Sequence, residues 1–169
     1  LINNNGGGVK ITDNFLDKQT FKSIQDLMLN DSFDWYYAKA VTSEKLIRNE
    51  FQFIHIFYQF GKSRKSYFVI EPLIEKIKVF SLVRAKANLL TITPKIKQFD
   101  FHTDFDDKKN LTTAILYLNT CNGYTIFKDG TKVESVDNRF IEFDSALEHT
   151  GTTCTDENVR AVINLNYFK

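Results

Sequence analysis

From residue 81 to the end, the chain consists of short runs rich in aromatic and β-branched residues, cut at close intervals by turn-forming residues. The runs are Leu82 to Thr93, Gln98 to Thr103, Leu111 to Leu118, Tyr124 to Phe127, Thr131 to Val136, Arg139 to Phe143 and Val159 to Tyr167. Cys121-Asn122-Gly123, Lys128-Asp129-Gly130 and Asp137-Asn138 separate several of them, which predicts antiparallel strands joined by tight turns. Side chains of this kind suit a pleated, half-buried surface, and 16 Phe with 7 Tyr supply them. Short, closely spaced strands after a helical first half predict a mainly β sandwich or barrel with flanking α-helices outside.

The first 80 residues carry the helical signals. Thr12 or Asp13 caps a helix running to about Leu29, with Phe15, Leu16, Ile24, Leu27 and Met28 on one side. A second helix spans Tyr67 to Lys78, with Pro72 in or near its first turns, where a missing N–H is tolerated. Between them, Gln52 to Gln59 reads as a buried strand, and Gly61 to Ser66 as a basic, mobile loop. Only Pro72 and Pro94 occur, and no linker or repeat divides the chain, so residues 1–169 form one domain. Within it, residues 1–8 read as a flexible leader, 9–80 as helical support and outer strands, and 81–169 as the core. A chain of 169 residues buries roughly 70% of its unfolded surface and folds without a staple.

Composition excludes several functions. With 22 Lys+Arg against 21 Asp+Glu, the chain lacks the basic surplus of a dedicated nucleic-acid binder, although a local basic patch stays open. Cys121 and Cys154 form no C-x-x-C and read as reduced thiols. No run approaches the roughly 20 apolar residues of a membrane span, and the N-terminus lacks the pattern of a signal peptide, so the expected location is cytoplasmic, away from membranes.

Three histidines narrow the search for chemistry. His102-Thr103-Asp104 sets an imidazole and a carboxylate two residues apart, on one face of a strand. His149 lies at a turn 45 residues beyond Asp104, and together the three offer a facial triad suited to iron(II), or to zinc. Arg160 follows 11 residues after His149 and opens an apolar strand, sharing its inward face with Val162, Asn164 and Asn166. A guanidinium on an inward face requires an anionic partner, from the protein or from a ligand. His55, mid-strand in Phe53-Ile54-His55-Ile56-Phe57, reads as a wall residue rather than a ligand. Asp106 and Asp107 read as solvated, with a supporting role for an imidazole ligand open to either.

With these residues in view, the sequence resembles the 2-oxoglutarate/iron(II)-dependent oxygenases, in particular their compact prolyl-4-hydroxylase-like branch. The resemblance covers about Leu82 to Phe168 and rests on H-x-D, H and R at family-like spacing. Tyr117-Leu118-Asn119 looks like the family's Y-L-N strand, Gly123-Tyr124-Thr125-Ile126-Phe127 its G-x-T-x-F segment, and Asn166-Tyr167-Phe168 its aromatic last strand. The resemblance implies a double-stranded β-helix, a jelly-roll or cupin-like barrel with the metal at its open end. It implies Fe(II) on His102, Asp104 and His149, and Arg160 with Tyr117 on the distal carboxylate of 2-oxoglutarate. Thr125, Asn164 and Asn88 would line the cofactor pocket. The sequence departs from the family at Val162, Ile92 and Asn166, where relatives carry a hydroxyl, a Tyr and a Trp respectively.

The implied reaction consumes O2 and 2-oxoglutarate and hydroxylates a C–H bond, with ascorbate as a possible support. A peptide or protein is the expected partner, most simply a peptidyl proline held in extended form. Nucleic acid stays open as a partner through Lys62, Arg64 and Lys65 with Phe60, Tyr67 and Phe68, and a small-molecule substrate also stays open. Trp35, Tyr36 and Tyr37 suit a substrate groove or a packed sheet surface. Two other classes remain: a non-enzymatic barrel used for binding, and a zinc hydrolase using the same triad. Oligomeric state is not legible.

Overall fold

The computed structural model describes residues 2–5 (main chain only), 8–41, 50–105 and 110–169. In chain order its elements are β1 (Ile2–Asn5), β2 (Val9–Thr12), α1 (Lys18–Met28), β3 (Tyr36–Ala38), β4 (Gln52–Gln59) and β5 (Lys62–Ser63). A 3₁₀ turn (Lys65–Val69), α2 (Glu71–Ile77), β6 (Ser81–Thr91), β7 (Thr112–Tyr117) and β8 (Tyr124–Phe127) follow. The chain ends with β9 (Lys132–Glu134), β10 (Phe140–Asp144), β11 (His149–Gly151) and β12 (Val159–Phe168).

Strand alternation divides the molecule into layers. In β6, Ala85, Ala87 and Leu89 face one way, and in β12 Ala161, Ile163 and Leu165 do the same. This face packs against Phe21, Ile24 and Met28 of α1 and Leu73 of α2. The opposite face of the sheet gives Ile115, Tyr117, Ile141, Phe143 and Val162, which pack against Phe127 of β8 and Val133 of β9. The large sheet runs β1-β2-β10-β7-β12-β6-β4-β3, with β5 beside β4, and the small sheet runs β11-β8-β9. Two facing antiparallel sheets with helices outside the larger one form the expected double-stranded β-helix. No helix among the described residues is long and apolar enough to cross a membrane.

Several boundaries differ from expectation for identifiable reasons. The first helix begins at Lys18, because Asp17 caps it by accepting from the Thr20 amide at 3.0 Å. Val9 to Thr12 alternates as a strand and pairs with β10 instead. The leader expected to be flexible places Ile2–Asn5 antiparallel to β2, where main-chain bonds cover an otherwise open edge without needing apolar side chains. The second helix is split at Ile70, just ahead of Pro72, which has no N–H to bond the carbonyl one turn back and is tolerated only in the first turn of a new helix. The expected strand Gln98 to Thr103 bridges only at Gln98 to Thr152 and at His102 to His149. It still runs beside β11, and Asp104 lies beyond the last bridge in a bend. In the basic loop, Lys62–Ser63 pairs with the end of β4. Asp106 and Asp107 lie outside the described residues.

Besides the β2–β10 pairing, Asn138 fastens the N-terminal segment to the barrel. Asn138 sits in the left-handed region at φ 56°. Its Oδ1 accepts from the Leu16 amide at 2.9 Å and its Nδ2 donates to the Leu16 carbonyl at 2.8 Å, both bonds buried. Asn138→Ala should lower stability by about 2–4 kcal/mol in urea unfolding, through two lost buried bonds and a strained backbone. Asn138→Gly should recover about 1 kcal/mol of that loss, because glycine relieves only the strain.

Candidate metal and ligand centre

The polar residues that interrupt the inward faces of β6 and β12 meet in one cavity of about 270 Å³. Arg84, Lys86 and Asn88 enter it from β6, and Arg160 and Asn164 from β12. His102, Asp104 and His149 reach it from the segment beside the small sheet and from β11, and Thr125 from β8. The two-residue repeat of an antiparallel strand produces this convergence, since each strand buries its other face under the helices.

His102, Asp104 and His149 bring one ligand atom each to within 4.8 Å of one another. Their rings pack with centroids 4.7 Å apart, and Phe143 braces His149 edge-on at 4.7 Å. His149 Nδ1 lies 3.0 Å from the Leu147 carbonyl. A carbonyl only accepts, so that nitrogen carries the proton and Nε2 keeps its lone pair free. Burial, reinforced by the neighbouring His149, pushes the His102 imidazole below its ordinary pKa and keeps it in the neutral form a metal requires. Asp104 is buried, which favours protonation, but Arg84, His149 and the Asn166 amide outweigh burial and hold its carboxyl at about 2.

The Asp104 carboxylate is firmly oriented. Oδ1 accepts from Arg84 at 2.7 Å, while Oδ2 accepts from Thr113 and Asn166, each at 3.0 Å. A carboxylate offers about four lone-pair sites, so one on Oδ1 stays available for a cation. Arg84 is itself fixed by its Nε bond to Asn166 Oδ1 at 2.9 Å and by the Phe105 ring, whose centroid is 5.1 Å from the guanidinium carbon.

At the other end of the cavity Arg160 is only 4% exposed. Nε donates to Ser135 Oγ at 2.7 Å and a terminal nitrogen donates to Thr125 Oγ1 at 3.1 Å. Tyr117 lies under the guanidinium, with the ring centroid 5.5 Å from its carbon, and donates its hydroxyl to Thr125 at 2.8 Å. Burial pulls the guanidinium below its ordinary pKa and pushes the Tyr117 phenol up, so Tyr117 is a neutral donor. Among the described residues no carboxylate pairs with Arg160. Two glycines make room for it: a Cβ on Gly123 would lie 2.6 Å from Arg160 Cδ, and one on Gly151 would lie 3.2 Å from a terminal nitrogen.

The cavity also collects unsatisfied polarity. Among the described residues, the buried side-chain polar atoms without a partner are Asn88 Oδ1, His102 Nδ1 and Asn164 Oδ1, all on its lining residues. Such atoms are costly unless something bonds to them. Two open imidazoles, one oriented carboxylate and a buried cation without a counter-ion therefore fit a divalent metal and a chelating dianion.

The structure brings together every residue expected at the site, with Tyr117 behind the wall rather than on the cavity surface. Arg84, Lys86 and Ser135 were not anticipated. For Arg84 and Lys86 the signal was their alternation, with Asn88, against small apolar residues in β6, of which only Asn88 was read as inward-facing. His55 stays apart: its nitrogens bond the Asp34 carbonyl at 2.7 Å and Ser66 Oγ at 2.6 Å. Trp35 donates to the Met28 carbonyl at 3.1 Å and packs against the core, whereas Tyr36 and Tyr37 are exposed on β3. Cys121 and Cys154 are buried free thiols, and burial pushes Cys154 up to about 11.

No family model matches the sequence, and neither does any curated protein. Solved structures do. A Trichoplax adhaerens prolyl hydroxylase in complex with a hypoxia inducible factor oxygen degradation domain peptide fragment has a TM-score of 0.67 at 16% identity, covering 96% of this chain and 84% of that one. The viral collagen prolyl hydroxylase of Paramecium Bursaria Chlorella virus-1 gives 0.61 at 15% identity, covering 97% of both chains. A Burkholderia pseudomallei oxidoreductase of the 2OG-Fe(II) oxygenase family gives 0.69 at 10% identity, covering 96% and 86%. This chain has the fold that those proteins share.

Proposed function

We propose that this chain is a 2-oxoglutarate- and iron(II)-dependent dioxygenase that hydroxylates a C–H bond, most simply of a peptidyl proline. The observation that carries this reading is the buried, carboxylate-free Arg160 in the same cavity as the His102, Asp104 and His149 ligand set. A fold shared with prolyl hydroxylases, one of them in complex with a peptide fragment, supports the reaction class and the peptide substrate.

In this reading His102, Asp104 and His149 hold the iron, and Arg160 forks onto the distal carboxylate of 2-oxoglutarate. Tyr117, behind the wall, donates its hydroxyl to Thr125 beside Arg160, and Thr125 turns its own hydroxyl towards that carboxylate. Asn88 and Asn164 line the same cavity, and their unpaired Oδ1 atoms accept from a donor on a bound ligand or a water. When bound, iron with 2-oxoglutarate supplies the oxidation, coupling loss of CO2 and formation of succinate to oxygen insertion into the substrate. The chain orients these groups, keeps the His102 imidazole neutral and the Asp104 carboxylate charged, and excludes bulk water from Arg160. Asp104 is the sole carboxylate on the cavity lining among the described residues.

Without oxygen, iron(II) and 2-oxoglutarate should give wild type the visible charge-transfer band of the chelated cofactor, and His149→Ala should lose it. Admitting oxygen should then yield succinate, with more of it when a proline-containing peptide is present. Bound iron with no band would overturn the assignment of 2-oxoglutarate, and a band with no response to any peptide would overturn the peptidyl substrate.

A further inference from the structure

The cavity holds more positive charge than the proposed cofactors use. Its described lining residues include the cations Arg84, Lys86 and Arg160 and the single carboxylate Asp104. A divalent metal and the dianion of 2-oxoglutarate cancel each other, so their binding leaves this excess unchanged. Arg160 is matched by the distal carboxylate, and Arg84 shares Asp104 with the metal. Lys86 is left. Its side chain lies between Arg84 and Asn88 on the polar face of β6, and no hydrogen bond or ion pair to its ammonium is recorded among the described residues. Burial, with Arg84 adding to it, lowers Lys86 to about 8, so it stays cationic at neutral pH. Its Nζ is not among the buried atoms without a partner, so water reaches it, and a carboxylate entering the cavity would take the place of that water beside the cation.

Resting on the dioxygenase reading, we propose that the substrate carries a carboxylate, which Lys86 binds, assisted by Arg84, next to the iron ligands. Lys86 is then a specificity-determining residue. Arg84, tied to Asp104 and Asn166, fixes the angle from which the carboxylate approaches. A carboxylate held there sets the adjacent carbons of the substrate beside the metal. Two sources share this chemistry: the α-carboxylate of a free amino acid, and an acidic side chain next to the reacting residue of a peptide.

Binding can be read without turnover, using calorimetry on protein loaded with manganese(II) and 2-oxoglutarate in the absence of oxygen. The probes are L-proline against L-prolinamide, and a capped Asp-Pro dipeptide against its Asn-Pro counterpart. The acid of at least one pair should bind about tenfold or more tightly than its amide. The pair that discriminates identifies the source. Lys86→Gln should erase the difference, while Lys86→Arg should retain most of it. Equal behaviour of acid and amide in both pairs, including no binding by either, overturns the proposal, as does a preference that survives in Lys86→Gln. The iron charge-transfer band is recorded for each protein, so failure of the dioxygenase reading shows as loss of the band in wild type. A higher 2-oxoglutarate requirement in Lys86→Gln, with acid preference unchanged, would reassign Lys86 to the cofactor.

Discussion

Asp104→Ala should abolish 2-oxoglutarate turnover and weaken iron binding by well over about 100-fold, since even the partners behind a ligand are worth 10- to 100-fold. Equilibrium dialysis with iron(II) measures the second effect directly. The same substitution strands Arg84, whose side chain is 20% exposed against 6% for Asp104, so stability should also fall, by about 3 kcal/mol. Asp104→Asn keeps an oxygen for Arg84 but loses the charge and sets its amide NH2 against the donors Thr113 and Asn166, so metal affinity should collapse and much of the stability should go with it. The pH dependence has a definite sign. Asp104 is held at about 2 against an ordinary 3.8, so its stabilising contribution is complete above pH 3.8 and disappears as pH falls towards 2. An acid titration in which wild type and Asp104→Asn lose stability in parallel over that window would remove the Arg84–Asp104 pair as the cause.

Arg160→Leu should raise the 2-oxoglutarate concentration needed for the charge-transfer band by about 100-fold or more, leaving iron binding nearly unchanged. A buried carboxylate left without its cation costs on the order of 2–5 kcal/mol, which corresponds to that range. Arg160→Lys should fall between, because an ammonium keeps the charge but cannot fork onto two oxygens. A second variant reaches the same group from outside. In Gly123→Ala the new methyl would meet Arg160 Cδ at 2.6 Å and the Thr153 carbonyl at 2.9 Å, and a carbonyl on the main chain cannot step aside cheaply. The guanidinium must shift, so 2-oxoglutarate affinity should drop here too with iron binding intact. Equal cofactor affinity in Arg160→Leu and wild type would remove Arg160 from the cofactor site.

The site was more legible than the supports around it. His102, Asp104, His149 and Arg160 carry their signal in residue type and spacing, and a scarcity of histidines left few combinations. The strands of residues 81–169 were legible because turn residues bracket aromatic runs. The short strands Val9–Thr12, Tyr36–Ala38 and His149–Gly151 were not, because three or four residues hold too few periods to stand out. Their pairing is settled by neighbours distant in sequence, as with Val9–Thr12 against β10. Arg84 and Lys86 were missed for a different reason. A cation on a strand reads as a solvent-facing residue unless the chemistry of the opposing wall is already known. Ser135 gave no local signal, since its role exists only where Arg160 passes it.

The two faces of β6 have a consequence for how the chain reaches this state at all. One face is Ala85, Ala87 and Leu89 beneath the helices, and the other is Arg84, Lys86 and Asn88 towards the cavity. A slip of one residue against β12 would exchange them, driving a guanidinium and an ammonium under α1 and α2 and turning alanines towards the cavity. That misaligned pairing keeps its main-chain bonds yet carries two unpaired charges in an apolar layer, so it unravels before it can persist. The residues that face the cavity in the finished protein thus also act as proofreaders of the sheet while it forms.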